Sequence, residues 1–372
     1  MRRIQTALTV RRIEDLDELH RLEQDWDRLA EDSSPGNIFL TWYWQVTWAR
    51  HYLTAGQLHL LMVFDGQKLV GLAPFYIRES SYLPILRCRE LRFLGTEEVC
   101  SSYIDVLVAP DRHAEVVVRI YRYLFEEAAD RWDVLMLTDV PCESPSVDVW
   151  HRLFAEDGKV LELVGFSVCP MVDITHGWAA IHRRIGPTAR YNLSRKMKYA
   201  KAFGRVVFER LTDSDAIIRH WDEYVGLHEM RWQNQGGAFS SSRFEAFHRE
   251  ISRELAKRGC VTLDFLMLNE ERIAAIYGFN YRGTHSYYLP AMNPERAPRV
   301  SPGFLLLAHC IEEAAAAGAA TFDLLQGAAD YKTVWADRLR RCLSLRGYNR
   351  SMHAVSWIAF DGMKKTTKVM SR

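Results

Sequence analysis

Two stretches of the chain set apolar and polar positions in the same order. Leu58–Phe64 is a nearly unbroken apolar run that reaches Asp65-Gly66, and Lys68–Tyr76 resumes it beyond that turn. Two β-length runs across a two-residue Asp-Gly signal predict a hairpin. Val261–Leu268, Asn269-Glu270 and Arg272–Asn280 repeat the arrangement. Downstream, each half again follows one order of strand, loop, helix and strand. In the first half these are Tyr103–Val108, Pro110-Asp111-Arg112, a helix over 114–130 and Asp133–Thr138. In the second they are His285–Leu289, a loop through Pro302-Gly303, a helix over 304–317 and Thr321–Leu325. A helix joining two short β runs predicts parallel neighbours in one sheet. The pattern therefore predicts an α/β (α+β) fold of two tandem domains, each a mixed β-sheet flanked by helices. They are expected at 1–165 and 166–360, turning over within Leu163–Asp173, with a basic tail at 361–372.

Helical spacing fills the remainder. Leu16, Leu19, Leu22, Trp26 and Leu29 recur at helical intervals within Glu14–Asp32, a stretch of nine acids and two arginines that reads as a solvated amphipathic helix. Ser214–Met230 and Ser242–Lys257 read as two more helices. Arg183–Arg210 has the opposite charge, with nine basic residues against Glu209, and an apolar stripe at Leu193, Met197 and Ala200.

Composition narrows the class. The 372 residues are 48% hydrophobic and 26% charged, with 48 Lys+Arg against 47 Asp+Glu. These are ordinary globular proportions, so any attraction to phosphate must come from local clustering of charge. The seven cysteines include no CxxC pair, which argues against a disulfide scaffold or zinc ribbon and fits a reducing compartment. No run approaches the ~18 apolar residues of a membrane span, and Glu14 and Asp15 follow the first basic residues too soon for a secretory signal. A soluble cytoplasmic protein is expected, with no DNA partner and with peripheral contact at a membrane left open.

Three segments carry candidate chemistry. Arg299-Val-Ser-Pro-Gly-Phe304 follows a strand and opens an apolar helix. Amide N–H groups and the helix dipole at such a turn favour an anion, although an ordinary loop with Pro at a helix start has the same residues. Thr321–Gly327 reads as a strand ending in Gln326-Gly327, after which Tyr331, Lys332 and Trp335 follow on a short helix. A tyrosine there can protonate a leaving thiolate, whereas Tyr331 and Trp335, four apart, equally suit a core-facing helix side. The basic segment around Tyr191-Asn192-Leu193 suits an anionic partner or simple solvation. His228-Glu229 ends a helix before Gly236-Gly237. No nucleophile elbow, P-loop, dinucleotide fingerprint or metal-spaced His/Cys cluster occurs.

Taken in order, these features resemble the GCN5-related N-acetyltransferase (GNAT) superfamily. The matching residues are Arg190-Tyr191-Asn192, Arg231-Trp232, Ser301-Pro302-Gly303, and Phe322-Asp323 through Tyr331-Lys332. The chain looks most like the tandem, CelD-type branch associated with cellulose and exopolysaccharide production, itself similar in architecture to Fem-type peptidyltransferases. The resemblance implies an N-acyltransferase with acetyl-CoA or another acyl-CoA as cosubstrate and no metal. Its acceptor would be an amine on a small molecule or on a glycan or envelope precursor. Pyrophosphate would sit on Arg299, Ser301 and Gly303, and the pantetheine arm along Tyr288, Leu289 and Ala291. Tyr331 would be the general acid, with Asp323 and Glu229 the candidate bases. Arg190, Lys196, Trp232, Gln326, Lys332 and Trp335 would face the acceptor. Pro302 stands where the family's glycine-rich loop offers an N–H, which keeps a Fem-like aminoacyl-tRNA donor as the alternative, beside a non-catalytic scaffold. No heptad arm interrupts the chain, so tRNA is not the expected partner.

Overall fold

Apolar positions at sheet and helix spacing organise two compact units in the computed structural model, which describes residues 8–34, 36–83, 86–232, 237–296 and 299–350. The first unit draws on 8–34, 39–167 and 341–350, the second on 36–38 and 168–340. Residues 341–350, expected in the second domain, thus belong to the first unit: Cys342–Tyr348 pair with Val134–Pro141, an antiparallel ladder that reaches back across the chain. The basic tail expected at 361–372 lies outside the described residues.

The first unit holds Thr9–Ile13 (β1), Leu60–Asp65 (β2), Lys68–Ala73 (β3), Phe75–Leu83 (β4), Leu86–Phe93 (β5), Leu107–Val108 (β6) and Val134–Pro141 (β7). Leu161–Asp173 (β8) leads out of it, and Arg338–Tyr348 (β14) returns. Its helices are Glu23–Ser33 (α1), Trp42–Tyr52 (α2), His113–Arg122 (α3) and Pro145–Glu156 (α4). The first hairpin forms as expected, β2 against β3, with Gly66 at φ 61° in the turn. The parallel pair expected around α3 does not form. The expected strand at Tyr103 shrinks to β6, because Tyr103 itself takes a left-handed φ of 61°. β6 closes the sheet β1-β2-β3-β6, while β7 instead lies parallel to β5.

The second unit carries Val206–Leu211 (β9), Val261–Leu268 (β10), Glu271–Tyr281 (β11), Thr284–Met292 (β12) and Thr321–Asp323 (β13). With β8 they run in the order β8-β13-β12-β11-β10-β9. The β10–β11 turn places Asn269 and Glu270 at φ 52° and 66°, the twist a two-residue hairpin requires. Helices Gly177–Arg184 (α5), Pro187–Phe203 (α6) and Pro302–Ala316 (α10) cover one face. Ser214–Arg219 (α7), Trp221–Trp232 (α8) and Ser242–Ala256 (α9) cover the other, and Asp330–Thr333 (α11) is one short turn after β13. α10 is apolar almost all round and sinks Leu305, Leu306, Leu307, Cys310 and Ile311 into the core, as a helix packed on several sides must. The fold is therefore mixed α/β, its sheets flanked by helices.

Candidate active site

The site begins where two strands part. β12 and β13 run parallel through only three pairs, Thr284–Ser286 with Thr321–Asp323. β13 then stops. The buried Asp323 carboxylate accepts the Leu325 N–H at 2.8 Å, and Leu325 takes φ 54°, so the chain turns away while β12 continues to Met292. On its other edge β12 bulges against β11: Tyr277 pairs with Leu289 and Gly278 with Tyr287, leaving Tyr288 as the extra residue.

Beyond the last β12–β13 pair lies a cleft of about 540 Å³. Five elements and one loop line it: Ala189, Asn192 and Lys196 from α6, Arg231 from α8, Tyr287 and Pro290–Met292 from β12, Asn293, Pro294 and Arg296 from the loop after it, Ser301–Phe304 from the start of α10, and Asp330, Tyr331 and Val334 around α11. One end is built for negative charge. Ser301, at φ 52°, precedes α10, and its backbone oxygen accepts the Phe304 N–H at 3.0 Å. Pro302 has no N–H, so Gly303 supplies the next free amide of the helix start. The Lys196 ammonium donates to the Ser301 hydroxyl. Partial burial, then the neighbouring Arg195, pull the Lys196 amine below the usual lysine range. A Cβ on Gly303 would stand 3.5 Å from Met292 Sδ, so glycine there leaves the amide open without being forced by packing.

The other end is phenolic. Tyr287 is buried and hydrogen bonded to Tyr331. Burial first, then Tyr331, hold the Tyr287 phenol well above its ordinary pKa, so Tyr287 stays protonated. Tyr331 itself lines the cleft. Beneath them Lys332 is buried, donating to the carbonyls of Leu324 and Gln326 at 2.8 Å each, with its ammonium 5.8 Å from the centre of the Tyr287 ring. Burial lowers its pKa to about 8 against the opposing pull of Cys169 and Asp323.

Of the residues singled out from the sequence, the cleft gathers Ala291, Ser301, Gly303, Lys196 and Tyr331. The others stand elsewhere. Arg299 is exposed and outside the lining, as are Glu229 and Gln326. Asp323 faces inward as a turn anchor. Tyr288 points to the opposite side of the sheet, its hydroxyl 3.2 Å from His248 Nε2, and the Leu289 carbonyl is taken by the Tyr224 hydroxyl at 3.2 Å. Arg190 donates to the carbonyls of Arg183 and Ile185 at 2.9 and 2.7 Å and so closes the C-terminal end of α5. Trp335 is a core residue against Phe304 and Trp178. Trp232 lies beside His228 and Gly237 and carries the Arg231 guanidinium over its ring.

Sequence reasoning missed Arg231, Tyr287, Asn192 and Asp330 as lining residues. Arg231 reaches into the cleft and donates to the Pro290 carbonyl at 3.2 Å. Strand alternation was the usable signal for Tyr287, since Tyr287 and Tyr288 must face opposite ways. Helical spacing was the signal for the set 189, 192 and 196.

Comparison with known proteins bears on this region first. Residues 187–333 match the family described as "Acetyltransferase (GNAT) domain". No curated protein matches the chain. Among solved structures, FemX aligns at 12% identity and a TM-score of 0.61, over 88% of this chain and 96% of its own. The tandem GNAT protein from the clavulanic acid biosynthesis pathway aligns at 12% and 0.51, over 92% and 99%. L-PGS from Bacillus licheniformis aligns at 12% and 0.51, over 91% and 95%. At these identities the likeness is one of fold: a GNAT-type acyltransferase fold.

Proposed function

We propose that the chain is an N-acyltransferase that takes an acyl group from an acyl-CoA thioester and delivers it to an amine of a sugar-containing or envelope precursor. The observation that carries the reading is the three-pair β12–β13 ladder, which opens into a cleft with a cationic end and a phenolic end. The residues present suit such a donor. Lys196, the Ser301 hydroxyl and the Gly303 amide would receive phosphate oxygens at the α10 start, where helix amides and a cation act together. Ala291, Met292, Phe304 and Val334 provide an apolar wall for the thioester arm. The thioester supplies an activated acyl carbon and a thiolate leaving group.

This chain's residues then orient and move protons. Tyr331 gives its hydrogen toward the departing sulfur, and Tyr287 stabilises the oxygen left behind by the bond it donates. Asp330, exposed on the cleft rim, attracts the acceptor's ammonium; the acceptor attacks as the free amine within reach of the acyl carbon, its protons passing to water at that open rim as the C–N bond forms and the C–S bond breaks. Lys332 is a positioning residue: by holding the carbonyls of Leu324 and Gln326 it fixes the turn that presents Tyr331. The supported assignment for phosphate is therefore Lys196 rather than the exposed Arg299. An aminoacyl-tRNA donor is the second reading, favoured by Pro302, which removes one amide from the anion end.

The test is thiol release from acetyl-CoA in the presence of amino sugars and nucleotide-linked amino sugars, run beside transfer from charged tRNA. Amine-stimulated CoA release is expected. Transfer from charged tRNA with no CoA release would replace the first reading with the second.

A further inference from the structure

α6 turns a different side to solvent from the one that lines the cleft. Tyr191, Arg195, Lys198, Tyr199 and Ala202 follow one another at intervals of four, three, one and three, which places them along a single helix face. All are exposed, and the aromatics are unusually so: Tyr191 is 63% accessible, Tyr199 43% and Phe203, at the helix end, 56%. Apolar rings on a free surface need a reason when they cluster among like charges. Between 183 and 210 the only acid is Glu209, and Arg272 engages it at 2.6 Å. Arg190 is spent on backbone carbonyls, Arg184 on Asp337 and Arg210 on Asp264, while Lys196 faces the cleft. Arg195, Lys198, Lys201 and Arg205 have no acidic partner among the described residues, although Arg195 donates to the Asn192 side-chain oxygen at 3.2 Å and lies over the Tyr191 ring. The chain as a whole is close to neutral, at +1, so this is a local excess.

We propose that this face of α6 docks on an anionic lipid surface. Exposed rings among cations without acidic partners match the pattern of a helix lying in a membrane interface, where the rings enter the headgroup boundary and the long cationic side chains reach the lipid phosphates. The rings and cations run along one helix side, the arrangement a flat lipid surface takes up, and RNA, which would need a groove tracking its backbone, is left as an outcome of the test. Among the described residues no helix is long and apolar enough to cross a membrane. Docking through this face leaves Asn192 and Lys196, one side round the same helix, free to line the cleft. It holds whatever group the cleft transfers, and its test is independent of donor binding.

The experiment is sedimentation of the full chain with vesicles of phosphatidylcholine alone and of phosphatidylcholine with phosphatidylglycerol. Binding only to the anionic vesicles, weakening as salt rises, is expected. Each Lys or Arg near an anionic leaflet contributes about fivefold, so Lys198→Gln with Lys201→Gln should weaken binding about 30-fold. Tyr199→Ser with Phe203→Ser should weaken it at every salt concentration, because the apolar part is not screened. Both double variants change only exposed positions, and an unchanged circular dichroism spectrum and urea midpoint verify their folding. No vesicle binding, equal binding to neutral vesicles, or tight binding of mixed tRNA with none to vesicles would overturn the proposal.

Discussion

Replacing Tyr331 by Phe removes one hydroxyl and leaves the ring. Its partner is Tyr287, only 3% accessible, whose own hydroxyl would then be stranded in the protein interior. An unsatisfied buried hydroxyl costs about 1–3 kcal/mol, so Tyr331→Phe should lower unfolding stability by roughly that amount. Tyr287→Phe deletes the buried group itself and should cost less. The double variant should be no less stable than Tyr331→Phe alone, because nothing is left unpaired. Activity should follow a different order. Losing the general acid should drop kcat by about 10²–10⁴-fold with little change in the donor KM. Tyr287→Phe keeps the acid but removes the bond to its oxygen, for a loss of about tenfold. Urea denaturation read by tryptophan fluorescence gives the stabilities, and thiol release from acetyl-CoA gives the rates. If Tyr331→Phe keeps kcat within about threefold of the parent, Tyr331 is a packing residue and the proton-transfer role fails. If the stability loss is absent as well, the pairing with Tyr287 fails with it.

Three further outcomes follow from other groups. The Lys332 pKa of about 8 lies below that of an unfolded lysine, so the native state binds fewer protons above pH 8 and stability should rise from pH 8 to pH 10, by about 2–3 kcal/mol in total. Lys332→Met should flatten that rise, as measured by urea midpoints across the range. Burial lowers His59 and His228 to about 4 and His285 to about 3, so these rings stay neutral in the native state. Stability should be fully present above about pH 6.5 and fall as pH drops toward 4; a flat melting temperature between pH 6.5 and 4.5 would contradict this. Arg190→Met should destabilise the chain by about 1–2 kcal/mol, through the lost bonds at the α5 end, and leave the acceptor KM unchanged. A raised KM with unchanged stability would return Arg190 to acceptor binding.

Local patterning made the second unit largely legible. The β10–β11 hairpin, α10 and β13 appear where apolar runs and turn residues place them, because each is specified by neighbours in the chain. What failed depended on partners far away. The Ser214–Met230 helix divides at His220 into α7 and α8, and β14 pairs with β7 some two hundred residues earlier, a ladder no local period announces. In the site, Ser301, Gly303 and Tyr331 were visible because a Pro-Gly helix start and a post-strand turn are local signals. Arg190, Trp335 and Lys332 were misassigned for one reason. Their residue types suit ligands, yet each is consumed by its own surroundings: helix-end carbonyls, the Phe304–Trp178 core and the carbonyls after β13. Alternation says that Tyr287 and Tyr288 take opposite faces but not which one meets the cleft; the ladder to β11, bulged at Tyr288, decides that.

The most direct measurement is a calorimetric titration of acetyl-CoA and, separately, of S-acetyl-pantetheine, which lacks the phosphates, into the parent chain and Lys196→Met. The expected result is saturable one-to-one binding of acetyl-CoA, weakened tenfold or more by Lys196→Met through loss of a charge-assisted bond worth about 1.5–3 kcal/mol, with S-acetyl-pantetheine binding unchanged. No binding of acetyl-CoA to the parent chain, or equal loss for both donors in the variant, would contradict an acyl-CoA site at the start of α10.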